Sequence, residues 1–417
     1  MQRADAITPS TSPLGQGRTP APLARNNIVT YLATQFDGLD VRGLSDVDSL
    51  VLACVSYYQL PDAATAARTH EGMPIVDLYR ADWFEGLTLG LWDPEGLVRL
   101  LGAIVASPRF RTIRLCDYVS ETDFGREQQF SACTLRLPTG DVYVSFRGTD
   151  NTIVGWKEDF NMAFETRVPS QSRAVRYLER AALLAEGRVY VGGHSKGGNL
   201  AAYAAAMCDQ ATRARIAAAF SHDGPGFTRE TLSSPSWKES AGLIHKTVPR
   251  SSLIGMLFEQ QENFSTVEST SVGVLQHDPF SWIVDGVEFR RAEGLSGGAD
   301  FLDRGLNDWI SSMSQAERES FVDTLFSIFY ASGEDTFADL HGNWKTTIPA
   351  MLAAVSKLDD EERGHLTHAI ALLADALIPD TVPLGILEPG RSASIRQPDI
   401  TPGDGPSEQP VSPSEQG

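Results

Sequence analysis

Short apolar runs with the two-residue period of β-strands are spread through the first two thirds of the chain. They predict strands at residues 112–119, 129–137, 142–146, 189–191, 216–221, 243–248 and 265–268. Residues 138–141 (PTGD) have the composition of a hairpin turn, whereas the later strands alternate with helical segments and are predicted to be parallel. We expect an α/β fold with a mainly parallel, doubly wound sheet and a Greek-key-like antiparallel start.

Apolar residues three and four positions apart predict the helices. Ser45 followed by Asp48 marks one helix start, and Asp93 before Pro94 marks a second. Further helices are predicted at residues 155–160 and 171–185. Beyond residue 297 helical periodicity continues without strands, at residues 301–313, 315–331, 346–357 and 361–378. These four segments predict a helical C-terminal extension.

Both ends of the chain lack apolar periodicity and are rich in proline, serine and glycine. Residues 1–25 and 381–417 are therefore predicted to be disordered tails, because such segments cannot bury enough apolar surface to fold. Between them we expect an α/β domain at residues 26–297 and the helical extension at residues 298–380.

Charge and composition exclude several classes of partner. Among 417 residues, 42% are apolar and the net charge is −19, which disfavours nucleic acid and anionic membranes as partners. No signal peptide or run of about 18 apolar residues is found, so we expect a soluble, cytoplasmic protein without stable membrane insertion. Four scattered cysteines predict buried free thiols. The sequence does not indicate an oligomeric state.

The sequence Gly193-His194-Ser195-Lys196-Gly197 is a G-x-S-x-G between a predicted strand and an alanine-rich predicted helix. A nucleophilic serine on a sharp strand-to-helix turn needs this context, and it needs glycines where a Cβ would collide with neighbouring backbone. A phosphate-binding loop is the first alternative, but the lysine and glycines are in the wrong order. A turn whose glycines serve packing alone remains the second alternative.

Five blocks in fixed order resemble the bacterial Mbeg-like family, which is similar to class 3 lipases of the α/β-hydrolase superfamily. The blocks are FRGTD (146–150), GWKEDF (155–160), GGHSKGGNLA (192–201), HDGPGF (222–227) and QHDPFSW (276–282). The resemblance covers roughly residues 26–380. It implies that residues 26–297 form an α/β-hydrolase-like catalytic domain.

The resemblance also implies a set of catalytic residues. Ser195 is the expected nucleophile and His277 the expected general base and acid. The backbone N–H groups of Lys196 and Thr149 are expected to form the oxyanion hole, with the Thr149 hydroxyl as a further donor. Lys196 stands where those lipases often have leucine.

The triad acid departs from the family pattern, because residues 245–251 contain no carboxylate where class 3 lipases place an aspartate. Asp223 follows the preceding strand at the same edge of the sheet, which makes it our candidate. A turn-capping aspartate is the structural alternative for this residue. Asp278 is adjacent to His277 and poorly placed to bond its ring, and Glu268 is in a strand of unknown register.

Several other features are given no catalytic role. His194 is expected to point away from the Ser195 hydroxyl, and His222 only adjoins the candidate acid. His365 and His368 share a helix face but lack further ligand-spaced partners, so no metal site is expected. The apolar segment 252–258 (SLIGMLF) is interpreted as a core helix rather than a lid or acyl-binding wall.

The sequence therefore predicts a serine ester hydrolase of lipase or esterase type. It would use an acyl-enzyme route without metal or organic cofactor, and it would act on a small-molecule or lipid ester. The alternative is a hydrolase-fold binding protein that has no catalytic activity.

Overall fold

The computed structural model describes residues 26–296 except Ala163 and residues 259–262, and residues 312–367 except residues 337, 338, 340–342 and 361. Both predicted disordered tails lie outside the described residues, as do most of the predicted helix at 301–313 and the end of that at 361–378. The predicted domain boundaries stay predictions.

An eight-stranded sheet forms the centre of the molecule. The strands are β1 Met73–Pro74, β2 Arg114–Asp123, β3 Gln128–Arg136, β4 Val142–Phe146, β5 Val189–His194, β6 Ile216–His222, β7 Ile244–Pro249 and β8 Ser265–Val267. Neighbours from β1 to β4 pair antiparallel, and those from β4 to β8 pair parallel. Strands β9 (Val284–Asp285) and β10 (Glu288–Phe289) form a separate two-stranded sheet.

The strand order corrects two details of the sequence prediction. Strands β1 to β8 lie side by side in the order of the chain, without a reversal. The sheet is therefore not doubly wound, and its antiparallel part is a meander rather than a Greek key. The prediction of a mainly parallel α/β fold is confirmed, with helices that flank the sheet and further helices after its last strand.

Helices flank the sheet and continue after it. They are α1 Ile28–Leu32, α2 Asp46–Val55, α3 Phe84–Leu87, α4 Pro94–Ala106, α5 Ile153–Asn161, α6 Pro169–Leu184, α7 Lys196–Met207, α8 Gln210–Arg213, α9 Arg229–Ser233, α10 Pro235–Ser240, α11 Gln315–Tyr330 and α12 Trp344–Val355. Residue 360 and residues 362–367 are also helical. Single 3₁₀ turns occur at Thr65–Arg68, Ile75–Leu78, Phe124–Arg126, Ala241–Leu243, Ile254–Met256, Gly273–His277 and Pro279–Ser281.

Alternate residues of a strand face two separate hydrophobic cores. In β4, Tyr143 packs into the core beneath α1, α2 and α4, whereas Val142 and Val144 pack into the core beneath α6, α7 and α10. The period of two therefore buries both faces of the sheet. All four cysteines are buried and unpaired, as the sequence predicts.

Local signals explain where the best-predicted elements begin. The Ser45 side chain accepts from the Asp48 backbone while the Asp48 carboxylate accepts from the Ser45 backbone, which closes the capping box of α2. Asp93 caps α4 with Pro94 in the first turn. Segment 252–258 differs from its prediction, because it forms only the 3₁₀ turn Ile254–Met256.

Candidate active site

Ser195 lies at the junction of β5 and α7 in a strained conformation, with φ +59° and ψ −135°. A side chain rarely adopts a positive φ, and such strain is concentrated at functional sites. A Cβ on Gly197 would overlap the Phe146 carbonyl oxygen, and one on Gly193 would overlap the Gly197 carbonyl. Only glycine fits both positions, as the sequence predicts for a nucleophile turn.

Parallel pairing brings three candidate residues to one edge of the sheet. Thr149 follows β4, Ser195 follows β5 and Asp223 follows β6. In the register, Phe146 pairs with Gly193 and His194 pairs with His222, so these strands end level with one another. The carboxyl ends of parallel strands are where ligands bind in open α/β sheets.

His277 reaches the same edge from the segment after β8. Its Nδ1 lies 2.6 Å from Asp223 Oδ2, although the two residues are 54 positions apart. The Asp223 side chain is fully buried, and its Oδ1 also accepts from Ser252 Oγ at 2.5 Å. The structure thus brings the predicted base and the predicted acid into direct contact.

The two other carboxylates considered for this role lie elsewhere. Asp278 Oδ1 accepts from the Phe280 backbone at 3.0 Å, so this residue caps the turn Pro279–Ser281. Glu268 lies 3.9 Å from Arg250 in a partly exposed ion pair. In the described residues, Asp223 is the carboxylate that contacts the His277 ring.

His194, which sequence reasoning gave no role, holds the backbone of His277. Its Nε2 lies 2.8 Å from the His277 carbonyl oxygen, and its Nδ1 lies 3.0 Å from Tyr57 Oη. A carbonyl can only accept, so Nε2 carries the proton and Nδ1 accepts from Tyr57. Burial and the neighbouring His277 keep the pKa of His194 well below its usual value, which favours this neutral form.

The Lys196 side chain is fully buried in a polar cluster behind the serine. Its Nζ donates to Gln129 Oε1 at 2.9 Å and to Glu158 Oε2 at 3.2 Å, and it lies 3.7 Å from Asp159 Oδ1. Asp159 in turn accepts the hydroxyl proton of Thr149. Both residues predicted for the oxyanion hole are therefore tied to one carboxylate.

The Thr149 bond limits what its hydroxyl can do. A hydroxyl carries one proton, and here Asp159 accepts it, so a bond to an oxyanion would require that contact to open. The backbone N–H of Thr149 is not affected by this contact. Burial raises the pKa of Asp159 to about 6, although Lys196 and Thr149 favour its ionised form.

A cavity of about 980 Å³ opens in front of Ser195 and His277. Thr149 and Lys196 also line it, and most of its remaining wall is apolar. One part of that wall comes from Leu253, Ile254, Leu257 and Phe258, so segment 252–258 borders the site. The C-terminal helices contribute another part through Phe321, Leu325, Phe326, Phe329, Ile348, Met351 and Leu352.

A model of the Mbeg1-like family matches residues 104–327, which span the sheet from β2 onward and most of helix α11. The chain belongs to the Mbeg1-like family. No curated protein matches the sequence significantly.

Three lipase structures are similar to this Mbeg1-like protein at low sequence identity. The crystal structure of M37 lipase is 13% identical, with 51% of this chain and 69% of that chain covered and a TM-score of 0.32. The native Rhizomucor miehei lipase propeptide complex is 16% identical over 43% and 70%, with a TM-score of 0.28. Lip2 lipase from Yarrowia lipolytica is 11% identical over 46% and 76%, with a TM-score of 0.31.

The remaining histidines of this Mbeg1-like chain lie in other settings. His222 is buried, its Nε2 lies 2.9 Å from Ser49 Oγ, and burial lowers its pKa to about 3. His70 pairs with Asp117 of β2 at 3.1 Å, and β2 lies three strands away from β5 in the sheet. His341 and His368 lie outside the described residues.

Two kinds of feature are absent from the described ranges. They contain no group of three or more histidine, cysteine, aspartate or glutamate residues that could hold a metal. None of their helices is both long and apolar enough to cross a membrane.

Sequence reasoning missed three parts of the site: His194 as a support, the Lys196 cluster and the C-terminal wall. His194 was visible only as the second residue of the G-x-S-x-G. The amphipathic pattern of α11 and α12 indicated helices, but it could not indicate what they face. These roles depend on contacts between distant segments.

Proposed function

We propose that this protein is a serine hydrolase that acts on carboxylic ester bonds through an acyl-enzyme. Ser195 is the nucleophile, His277 is the general base and acid, and Asp223 orients the imidazole. The observation that best supports this proposal is the 2.6 Å contact between His277 Nδ1 and Asp223 Oδ2 beside a serine with φ +59°.

The contact defines the proton positions that the reaction needs. A carboxylate accepts, so Nδ1 donates to Asp223 and the Nε2 lone pair of His277 is free to take a proton. No described residue forms a hydrogen bond with Ser195 Oγ, so its bond to Nε2 has to form when substrate binds. Such bonds are often long in ligand-free active sites and shorten in the substrate complex.

In the first half of the reaction Ser195 Oγ attacks the ester carbonyl carbon while His277 Nε2 takes its proton. The backbone N–H groups of Lys196 and Thr149 donate to the tetrahedral oxyanion. When the intermediate collapses, His277 gives the proton to the departing alkoxide and leaves an acyl-Ser195 ester. Water then attacks this ester by the same route and releases the acid. The reaction requires no metal or organic cofactor.

The test uses a fluorophosphonate, which labels an activated serine, together with hydrolysis of p-nitrophenyl butyrate. We expect wild-type protein to be labelled and to hydrolyse the ester. Ser195→Ala should abolish labelling, and Ser195→Ala and His277→Ala should each lower the hydrolysis rate by about 10³ to 10⁶. Ser233→Ala, at an exposed serine away from the cavity, is the matched control.

Two outcomes would contradict the proposal. Equal labelling of the Ser195→Ala variant would show that another residue reacts. A folded wild-type protein that is neither labelled nor active would favour the alternative, a hydrolase-fold binding protein.

A further inference from the structure

We propose that helices α11 and α12 form the acyl-binding wall of the Ser195 site, and that this wall takes a long, unbranched fatty acyl chain. The inference rests on the proposed function, because it names the substrate of the same site. It concerns the C-terminal helices, whose sequence indicates no function.

Helix α11 is fixed against helix α5, which follows strand β4. Its Phe326 is buried and packs edge-on against Phe160 of α5, with ring centroids 5.6 Å apart. Asp323 of α11 pairs with Lys157 at 2.8 Å. The chain after α11 adds a further tie, since the Asp335 carbonyl accepts from the Ile153 backbone at 2.9 Å.

These contacts matter because α5 begins only four residues after Thr149. A wall attached to α5 is held at a fixed position relative to the oxyanion donors. An acyl chain bound against this wall would therefore hold its ester carbonyl at a fixed position relative to those donors.

Helix α12 leaves apolar side chains open to the cavity. Ile348 is 46% exposed and Leu352 is 63% exposed, and both line the cavity. Across the cavity Leu275 is 65% exposed and Trp92 is 43% exposed. Large apolar side chains gathered around one cavity mark a binding site, because covering them removes apolar surface from water.

The size and chemistry of the cavity indicate the kind of occupant. At about 980 Å³ it is near the upper end of ordinary ligand sites, which are about 300 to 1,000 Å³. Its polar lining residues come from the segments before residue 279, while the surface provided by α11 and α12 is apolar apart from Arg318. An acetyl or butyryl group would leave most of this apolar surface exposed to water. A long acyl chain would cover it and keep the ester carbonyl at the serine.

Each methylene buried along the wall should raise kcat/KM by about fourfold, from the transfer free energy of a CH₂ group. We therefore expect p-nitrophenyl palmitate to be preferred over the butyrate at least tenfold. Replacing Ile348 and Leu352 together by asparagine should lower this preference at least tenfold. Leu352→Met, which keeps the volume and apolar character, should retain it.

Leu183→Asn is the matched control, because Leu183 is 82% exposed on α6 and does not line the cavity. It should leave both rates and their ratio unchanged. Binding of palmitic acid to Ser195→Ala protein, measured by calorimetry, gives a readout that needs no catalysis. This binding should weaken at least tenfold when the two asparagines are added.

The outcomes separate this inference from the proposed function. If butyrate is hydrolysed as well as palmitate, or if the asparagine variant keeps the full preference, the inference is wrong while the hydrolase proposal stands. If no ester is hydrolysed and no probe reacts, yet palmitic acid binds and the asparagines weaken it, the hydrolase proposal is wrong while the acyl wall is supported. If palmitic acid does not bind at all, the inference is overturned independently of catalysis.

Discussion

Helices α7 and α12 have the same length of 12 residues, yet they lie in opposite environments. In α7 every side chain from Lys196 to Ala206 is buried. In α12 both Ile348 and Leu352 are exposed. The first helix begins directly after Ser195 and packs against the sheet, whereas the second packs on α11 and lines the cavity.

The difference separates two requirements of one site. The turn from β5 into α7 must hold Ser195 at strained backbone angles, which only dense packing on all sides can sustain. The proposed acyl wall would have to accept and release a ligand, which requires that some of its apolar side chains stay exposed. Substitutions at this turn should therefore strongly affect the chemistry of the site or its packing. Matched changes in the C-terminal helices should be tolerated.

The largest difference between the two regions should appear in kcat, when Asp223→Asn is compared with Asp359→Asn in the C-terminal region. The amide would favour the wrong tautomer of His277, so we expect kcat to fall by about 10⁴ with little change in melting temperature. Asp359→Asn, which replaces the cap of helix 362–367 with an equally good one, should leave both quantities near wild type. Unchanged turnover in the Asp223 variant would mean that another group orients the histidine. A large loss of stability with normal turnover per folded molecule would mean that Asp223 serves only the turn.

Asp159→Asn should stabilise the protein at neutral pH. Burial raises the pKa of Asp159 from 3.8 to about 6, so the folded protein binds this proton more tightly than the unfolded chain does. Its contribution to stability is thus present below pH 4 and is lost as the pH rises to about 6. The loss corresponds to about 3 kcal/mol. Relative to wild type, the asparagine variant should gain free energy of unfolding across that pH range.

Urea unfolding at a series of pH values measures this effect. Asp360→Asn, on a fully exposed side chain of the C-terminal region, controls for the loss of one negative charge. A variant that is less stable than wild type at pH 8 would show that the contact with Lys196 outweighs the cost of burial.

Two glycine-to-alanine substitutions should have the smallest effects, and they are the most closely matched pair. At Gly197 a Cβ would overlap the Phe146 carbonyl, so Gly197→Ala should lower the free energy of unfolding by about 1 to 3 kcal/mol. At Gly364, in helix 362–367, a Cβ would meet nothing within 4 Å. Gly364→Ala should instead add up to about 1 kcal/mol, because alanine favours helix. Equal effects on thermal unfolding would contradict the contrast between the regions.

Many element positions could be predicted because their signals are local. Strand β4 has the predicted limits, 142–146, and the caps at Ser45 and Asp93 act within three residues. The Ser195 turn was also readable, since its glycines are neighbours in sequence. Segment 252–258 was misjudged as a core helix because its apolar pattern does not say whether the apolar surface faces a core or a cavity.

The candidates His277 and Asp223 came from the family resemblance and from the order of the predicted strands. The sequence by itself determined strands β2 to β8, most helix starts and the strained serine turn. Each depends on periodicity, capping or steric fit within about ten residues of chain. Tertiary structure decided the strand order, the contact of His277 with Asp223 and the place of α11 and α12 over the site. Those features depend on packing between segments far apart in the chain, and no local pattern encodes which distant surface a helix or strand will meet.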